Sequence, residues 1–119
     1  MAAPNIVGVT TILGKTAVLA VTTSEVAIVT NSAASNKVFK INSLIVANID
    51  GTNAADITVV IKRSAVNYAL ASTVTVPADS SLVVISKEST VYLEEGDAIF
   101  CTASANSDLQ AVCSYEEIS

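Results

Sequence analysis

The sequence predicts an all-β fold, a single-domain β-sandwich or jelly roll of about eight to ten short antiparallel strands. Three observations predict it. The 119 residues fit one domain, runs rich in Val, Ile and Thr recur at spacings of roughly 8–12 residues, and turn residues separate those runs. The clearest stretch is Val74–Glu95, where Pro77-Ala-Asp79 and the Ser86–Ser89 segment divide short apolar runs. We expect residues 1–5 to form an extended N-terminal arm and residues 6–119 to form the sandwich domain.

The first third of the chain predicts three short strands. We expect a strand at Ile6–Leu13 followed by a turn at Gly14-Lys15, because glycine favours turns. Residues 23–25 (Thr-Ser-Glu) should separate the second strand from the third, and residues 31–36 form a small polar loop. The second and third strands are predicted at Ala17–Thr22 and Val26–Thr30.

The run Lys37–Ile49 predicts the longest strand. In a strand, alternate residues point to opposite faces, and one of the two faces here is almost entirely apolar. The Asp50-Gly51 pair after it is a strong turn signal, so we predict a hairpin between this strand and Ile57–Arg63. The predicted core face comprises Phe39, Ile41, Ser43, Ile45, Ala47 and Ile49, while Lys40 points outward.

The second half of the chain predicts five further strands. Ser64–Asn67 is a turn. Pro77 ends the strand Tyr68–Val76, because proline has no N–H group to donate to a neighbouring strand. Leu82–Ile85 is fully apolar, as in a central buried strand. The predicted strands are Tyr68–Val76, Leu82–Ile85, Val91–Leu93, Ala98–Ser104 and Leu109–Tyr115.

Composition argues against several function classes. The net charge is −5 and the six Lys and Arg residues are scattered, whereas binding to nucleic acid needs clustered positive charge. No apolar run reaches the ~18–20 residues of a membrane span, and the first residues carry no basic segment typical of a signal peptide. Only 14% of residues are charged. That scarcity fits either an ordinary small domain with a neutral surface or a surface that is largely buried against other chains.

Motifs for catalysis are weak. Without histidine, a Ser-His or Cys-His nucleophile is excluded. Gly14-Lys15-Thr16 resembles the end of a phosphate-binding loop, but Val9 stands where the motif needs glycine. Glu94, Glu95 and Asp97 form the densest carboxylate group, which we interpret as a solvated turn with Gly96 at positive φ. We therefore predict no catalytic, cofactor-binding or metal-binding residues and no enzyme activity.

The two cysteines, Cys101 and Cys113, lie in apolar runs that flank the loop 105–108. A hairpin centred near residue 107 would place them opposite one another. We interpret both as buried, reduced thiols, since free cysteine behaves as a small hydrophobe and a zinc site needs further ligands. The lack of Trp and the presence of only three Tyr argue against an aromatic platform for sugars.

Several segments of the C-terminal half resemble a group of small virion structural proteins of tailed bacteriophages, especially those of marine cyanobacteria. The similarity covers roughly residues 37–119 and is most specific at Val91–Asp97 and at the terminus. The matching segments are Asp50–Thr58, Val76–Asp79, Val91–Asp97, Ala103–Leu109 and Ser114–Ser119.

The resemblance implies a β-sandwich subunit without catalysis, built into the virion in many copies after synthesis in the host cytoplasm. The leading expectation is a capsid decoration or cement protein that bridges capsid subunits. A neck or tail accessory protein is the first alternative, and a module that binds host-surface glycans is the second. The expected partners are copies of itself, with a trimer favoured, and the major capsid protein or other virion proteins.

Overall fold

A computed structural model describes residues 6–119, and the arm predicted at residues 1–5 lies outside this range. The described chain is an all-β sandwich of nine antiparallel strands in two sheets, which confirms the predicted fold class. Short 3-10 turns occupy Ile6–Gly8 and Lys87–Ser89. The strands are β1 (Ile12–Val21), β2 (Val26–Thr30), β3 (Val38–Asn48), β4 (Ala55–Arg63), β5 (Val66–Val76), β6 (Ser81–Ile85), β7 (Val91–Leu93), β8 (Ala98–Ala103) and β9 (Leu109–Ile118).

The strand order is that of a jelly roll. We call the five-stranded sheet, ordered β1-β9-β3-β6 with β7 also paired to β3, sheet A, and the four-stranded sheet, ordered β2-β8-β4-β5, sheet B. The early strands pair with the late ones in reverse order: β1 with β9, β2 with β8, β3 with β6 and β4 with β5. The chain is thus one long antiparallel ribbon that winds around the core, so that each half of the ribbon contributes strands to both sheets.

The hairpin predicted between β3 and β4 is wrong. β3 belongs to sheet A and β4 to sheet B, so the turn after β3 carries the chain from one sheet to the other. The buried Asn48 fixes this crossover, because its Nδ2 donates to the carbonyls of Asn53 (3.0 Å) and Val76 (2.9 Å) while its Oδ1 accepts from the Asp50 amide (2.9 Å). The turn residues were identified correctly, but turn chemistry does not state which strands will pair.

The first predicted strand and its Gly14-Lys15 turn are also wrong. Residues 6–8 form a 3-10 turn, and β1 runs through Gly14 without a break, with Gly14 opposite Glu116 of β9. Lys15 is held in the ladder by an ion pair with Glu117, at 2.9 Å. Tertiary pairing with a ten-residue partner strand here outweighs the local turn preference of glycine.

The predicted core face of β3 is correct only for its first half. Phe39 and Ile41 are buried, but the pairing of β3 with β9 shifts by one residue between Ile41 and Ser43. A one-residue bulge exchanges the two faces of a strand. Beyond it Leu44 and Val46 are buried, while Ile45 is on the outer face at 38% exposure. Ile49, also predicted as core, is 53% exposed.

The core fills the space between the two sheets. β6, predicted as a central buried strand, is instead an edge strand of sheet A, where Val83 is exposed and Ile85 is buried. Branched aliphatic residues dominate the interior, as expected for strands that each bury one face. The largest fully buried side chains are Ile41, Leu44, Ile57, Ile85, Leu93, Ile99 and Leu109.

Candidate functional site

The carboxylate cluster after β7 is not a fully solvated turn. The Asp97 side chain is buried and accepts two hydrogen bonds from Arg63, from Nε at 2.8 Å and from Nη2 at 2.5 Å. Glu94 accepts a third bond from the same Nη2 at 2.9 Å. Two of the three carboxylates therefore converge on one guanidinium, whereas Glu95 binds the Asn36 amide. Gly96 does adopt the predicted positive φ, +88°.

The pKa shifts of Arg63 and Asp97 indicate that their ion pair has a structural role. The hydrogen bonds from Arg63 hold the pKa of Asp97 below its usual value of 3.8, and the carboxylates raise the pKa of Arg63. Both groups are therefore locked in their charged forms, which suits neither a general acid nor a general base near neutral pH. The ion pair joins β4 of sheet B to the turn that leads from sheet A into β8.

The other sequence candidates show no catalytic arrangement. Gly14-Lys15-Thr16 lies inside β1 and is followed by strand, not by the helix that a phosphate-binding loop requires. Across residues 6–119, no group of three or more Asp, Glu or Cys side chains is placed to hold a metal ion. None of the helical segments in that range is long and apolar enough to cross a membrane.

Both cysteines are buried in the core, as predicted, but their predicted hairpin is wrong. Cys101 lies on β8 of sheet B and Cys113 on β9 of sheet A, so the two thiols enter the core from opposite sheets. Burial raises the pKa of Cys101 to about 12 and that of Cys113 to about 11. At neutral pH both remain protonated, and a protonated thiol is a poor nucleophile and metal ligand.

The outer face of sheet A carries an unbroken row of exposed aliphatic side chains. Val18 lies opposite Val112, which lies opposite Ile45, which lies opposite Val83, so the row crosses all four strands β1, β9, β3 and β6. Their exposed fractions are 75%, 41%, 38% and 57% respectively. Directly paired residues project from the same face of a sheet, so the four form one contiguous apolar stripe.

The rows on either side of the stripe are uncharged as well. One flanking row is Thr16, Ser114 and Ser43, and the other is Ala20, Gln110, Ala47 and Ser81. The first charged pair, Glu116 beside Lys40, comes only beyond these rows. We call these three rows, eleven residues in all, the neutral face.

Sheet B does not offer a comparable surface. Its outer residue Phe100 is covered by the Lys62 ammonium group, which lies 4.4 Å from the ring centroid. Lys62 also forms an ion pair with Glu25 at 2.7 Å. The Lys62–Glu25 ion pair thus screens Phe100 in the middle of sheet B, whereas Val66 and Tyr68 are exposed on the edge strand β5.

A second surface feature is a groove of about 330 Å³ at the side of the sandwich, between β7 of sheet A and the β4–β5 hairpin of sheet B. Two tyrosines line it, Tyr68 at 59% exposure and Tyr92 at 44%. Arg63, held by its two carboxylates, forms part of the wall. Ile61 and Val91 complete the lining.

No protein-family model matches the sequence, and no curated protein matches it. The structure is similar to a chain from a solved structure of Bacillus endospore appendages, which are described as a novel family of disulfide-linked pili. The TM-score is 0.54, the sequence identity is 16%, and the match covers 92% of this chain and 88% of that one. At this identity the similarity concerns the fold.

Neither surface was identified from the sequence, although one signal pointed to the first. The runs Ala17–Ala20, Val26–Val29 and Val83–Val84 carry more apolar side chains than one sandwich interior needs. The first and third contribute to the exposed stripe or its edge, whereas Val26–Val29 lies in β2 of sheet B. Strict alternation along β3 places Ile45 in the core, because the sequence does not reveal the bulge that turns this residue to the outer face. No signal in the sequence brings Tyr68 and Tyr92 together, because their strands belong to different sheets.

Proposed function

We propose that this protein is a non-enzymatic structural subunit of a tailed-bacteriophage virion, and that it decorates the capsid by bridging capsid subunits. The neutral face is the observation that carries the proposal. Its central stripe presents four aliphatic side chains side by side between two uncharged rows. Such a surface is typical of a site of protein–protein contact.

The magnitude of burial supports a role in an assembly of many copies. The exposed parts of the four stripe residues together equal about two fully exposed aliphatic side chains, and burying them contributes roughly 3–6 kcal/mol. Association of two free proteins costs an estimated ~4–15 kcal/mol. One such face therefore gives weak association by itself, whereas several subunits that engage a particle together gain from high effective concentration.

Assembly of this protein is proposed to be non-covalent. The structurally similar appendage protein belongs to pili described as disulfide-linked. Here both thiols are buried and their pKa values are raised, so a disulfide between folded subunits would require the core to open. Apolar contact through the neutral face needs no such opening. A homo-oligomer, with a trimer favoured, remains our proposal for the arrangement in the particle, and a neck or tail position is the alternative location.

Binding to purified particles tests the proposal. Particles prepared without this protein are mixed with the wild type, with Val18→Asp, or with Val66→Asp, and are then pelleted. Val18 is the most exposed residue of the stripe, at 75%, whereas Val66 is a control of 49% exposure at the start of β5 in sheet B. We expect wild type and Val66→Asp to saturate the particle equally, and Val18→Asp to bind at least about tenfold more weakly, since a desolvated carboxylate costs several kcal/mol.

Mass spectrometry of authentic particles provides the second arm. The proposal requires this chain to be present in purified virions, with a copy number that is a simple ratio of the number of capsid subunits. Absence of the chain from purified virions would refute the virion assignment. Equal binding of Val18→Asp and wild type would refute the neutral face as the contact surface.

A further inference from the structure

We propose that the groove formed by Arg63, Tyr68 and Tyr92 is a binding site for a neutral saccharide. This inference is independent of the proposed assembly role, because the groove and the neutral face share no residue. A subunit attached through sheet A would carry the groove at the side of the sandwich.

The two tyrosines supply the contact surface. Each is large, at least 44% exposed and placed on the wall of one groove. A tyrosine side chain offers an apolar ring and a polar hydroxyl at its end, and the C–H face of a sugar ring stacks on the former while its hydroxyl groups bond the latter. The third tyrosine, Tyr115, is instead stacked on Phe39 with a centroid distance of 5.3 Å.

The guanidinium supplies fixed polar recognition. Three hydrogen bonds to Asp97 and Glu94 use the Nε and Nη2 donors of Arg63. Within the described chain the two Nη1 donors therefore remain for a ligand oxygen. The orientation of the group is set by the buried Asp97 before any ligand arrives, so little conformational freedom is lost on binding. The half-exposed Arg63 and the largely exposed Glu94 then offer a donor and an acceptor at the same rim.

The charge of the site selects a neutral ligand. One guanidinium lies beside two carboxylates and Lys40 lies opposite Tyr92, so these charges balance and no excess positive charge attracts an anionic sugar or a phosphate. A compact cation near the tyrosine rings would be repelled by the Arg63 guanidinium, which lines the same groove. A proline-rich peptide suits aromatic grooves, but proline carries no N–H donor and could bond only the Arg63 donors, adding nothing to the hydrogen bond that Glu94 already accepts from Arg63. Sugar hydroxyls both donate and accept, which matches the rim.

The dimensions indicate a short ligand and weak affinity. A groove of about 330 Å³ lies at the small end of ligand sites, roughly 300–1,000 Å³, and accommodates a mono- or disaccharide unit. For a ligand of this size we expect a Kd on the order of 1 mM at one site. Many copies on one particle would raise the avidity by orders of magnitude, which suits attachment to a surface glycan.

Titration of the purified protein with neutral oligosaccharides tests the inference. The probes are maltotriose, cellotriose and N,N′,N″-triacetylchitotriose, each raised to about ten times the expected Kd. The chain contains no tryptophan and three tyrosines, so intrinsic tyrosine fluorescence reports mainly on the groove. Amide chemical shifts in 1H–15N spectra locate the site.

We expect at least one neutral probe to shift the amides of Arg63, Tyr68 and Tyr92. Tyr68→Ala or Tyr92→Ala should weaken that probe at least tenfold, while Tyr68→Phe should stay within about threefold of wild type because the ring is retained. Tyr115→Phe is the matched control and should bind as wild type. Unchanged thermal unfolding of the groove variants would show that loss of binding is not loss of fold.

Three outcomes would overturn the inference. They are the absence of any shift with all neutral probes, shifts that map outside the groove, and binding of a hexaproline peptide in preference to every saccharide. The first and third would leave the proposed assembly role intact, since the Val18→Asp experiment measures a different surface.

Discussion

Truncating Ile45 to alanine should destabilise the protein far less than truncating its neighbour Leu44, although both are large aliphatic residues in the middle of β3. Leu44 is fully buried, whereas Ile45 is 38% exposed on the outer face of sheet A. Leu→Ala at a fully buried site costs about 3–4 kcal/mol, because a cavity remains after the methyl groups are lost. At Ile45 no closed cavity forms, and about 1 kcal/mol is expected from the partial loss of buried apolar area.

Urea unfolding followed by circular dichroism measures both changes as shifts of the midpoint at constant slope. Val46→Ala, a fully buried position on the inner face, serves as an internal reference and should cost about 2 kcal/mol. The difference between neighbours depends on the one-residue bulge near Asn42. If Ile45→Ala proved as damaging as Leu44→Ala, the bulge would be absent and the aliphatic stripe of the neutral face would lose its centre.

Three further changes test other parts of the structure. Replacing both Cys101 and Cys113 with alanine should cost about 1–3 kcal/mol in urea unfolding and leave assembly intact, and a metal found in the wild type but lost in this double variant would contradict their assignment as core residues. Because its pKa is lowered in the folded state, Asp97 contributes stability that is fully present above pH 3.8 and is lost as the pH falls through its folded-state pKa. Asp97→Asn should therefore lower stability at pH 7 and flatten the loss of stability below pH 3.8, and an unchanged acid profile would show that the ion pair is not the cause. Ser64 and Ala65 both adopt positive φ, +53° and +63°, in the β4–β5 hairpin, so their joint replacement by Asn-Gly should raise the free energy of unfolding by about 1 kcal/mol, whereas a decrease would mean that the two side chains make contacts of their own.

Local features of the fold followed from the sequence, and pairing did not. Alternation and turn residues located most strands to within a few residues, because they depend on neighbours along the chain. The prediction of a β3–β4 hairpin was wrong because an Asp50-Gly51 turn is compatible with either a hairpin or a crossover between sheets. The distant contacts that decide between them, such as the amide of Asn48 bound to the Val76 carbonyl, leave no periodic signal.

The functional surfaces were hidden for a related reason. The register of β3 depends on one extra residue, so strict alternation placed Ile45 inside when it lies outside. The tyrosine groove needs strands of both sheets at one edge. The count of three tyrosines argued against a sugar platform, but a count does not report that Tyr68 and Tyr92 share one groove.

The placement of the few charges connects these observations. Lys15 and Lys37 are drawn to Glu117 at 2.9 and 3.1 Å, where β9 ends. Arg63 and Lys62 are engaged by partners in or beside sheet B. Each of these ion pairs fixes a strand end or screens sheet B, and none of them protects the centre of sheet A. Contiguous exposed apolar surface is typical of sites of protein contact, so the uncharged stripe remains our proposed surface for a partner.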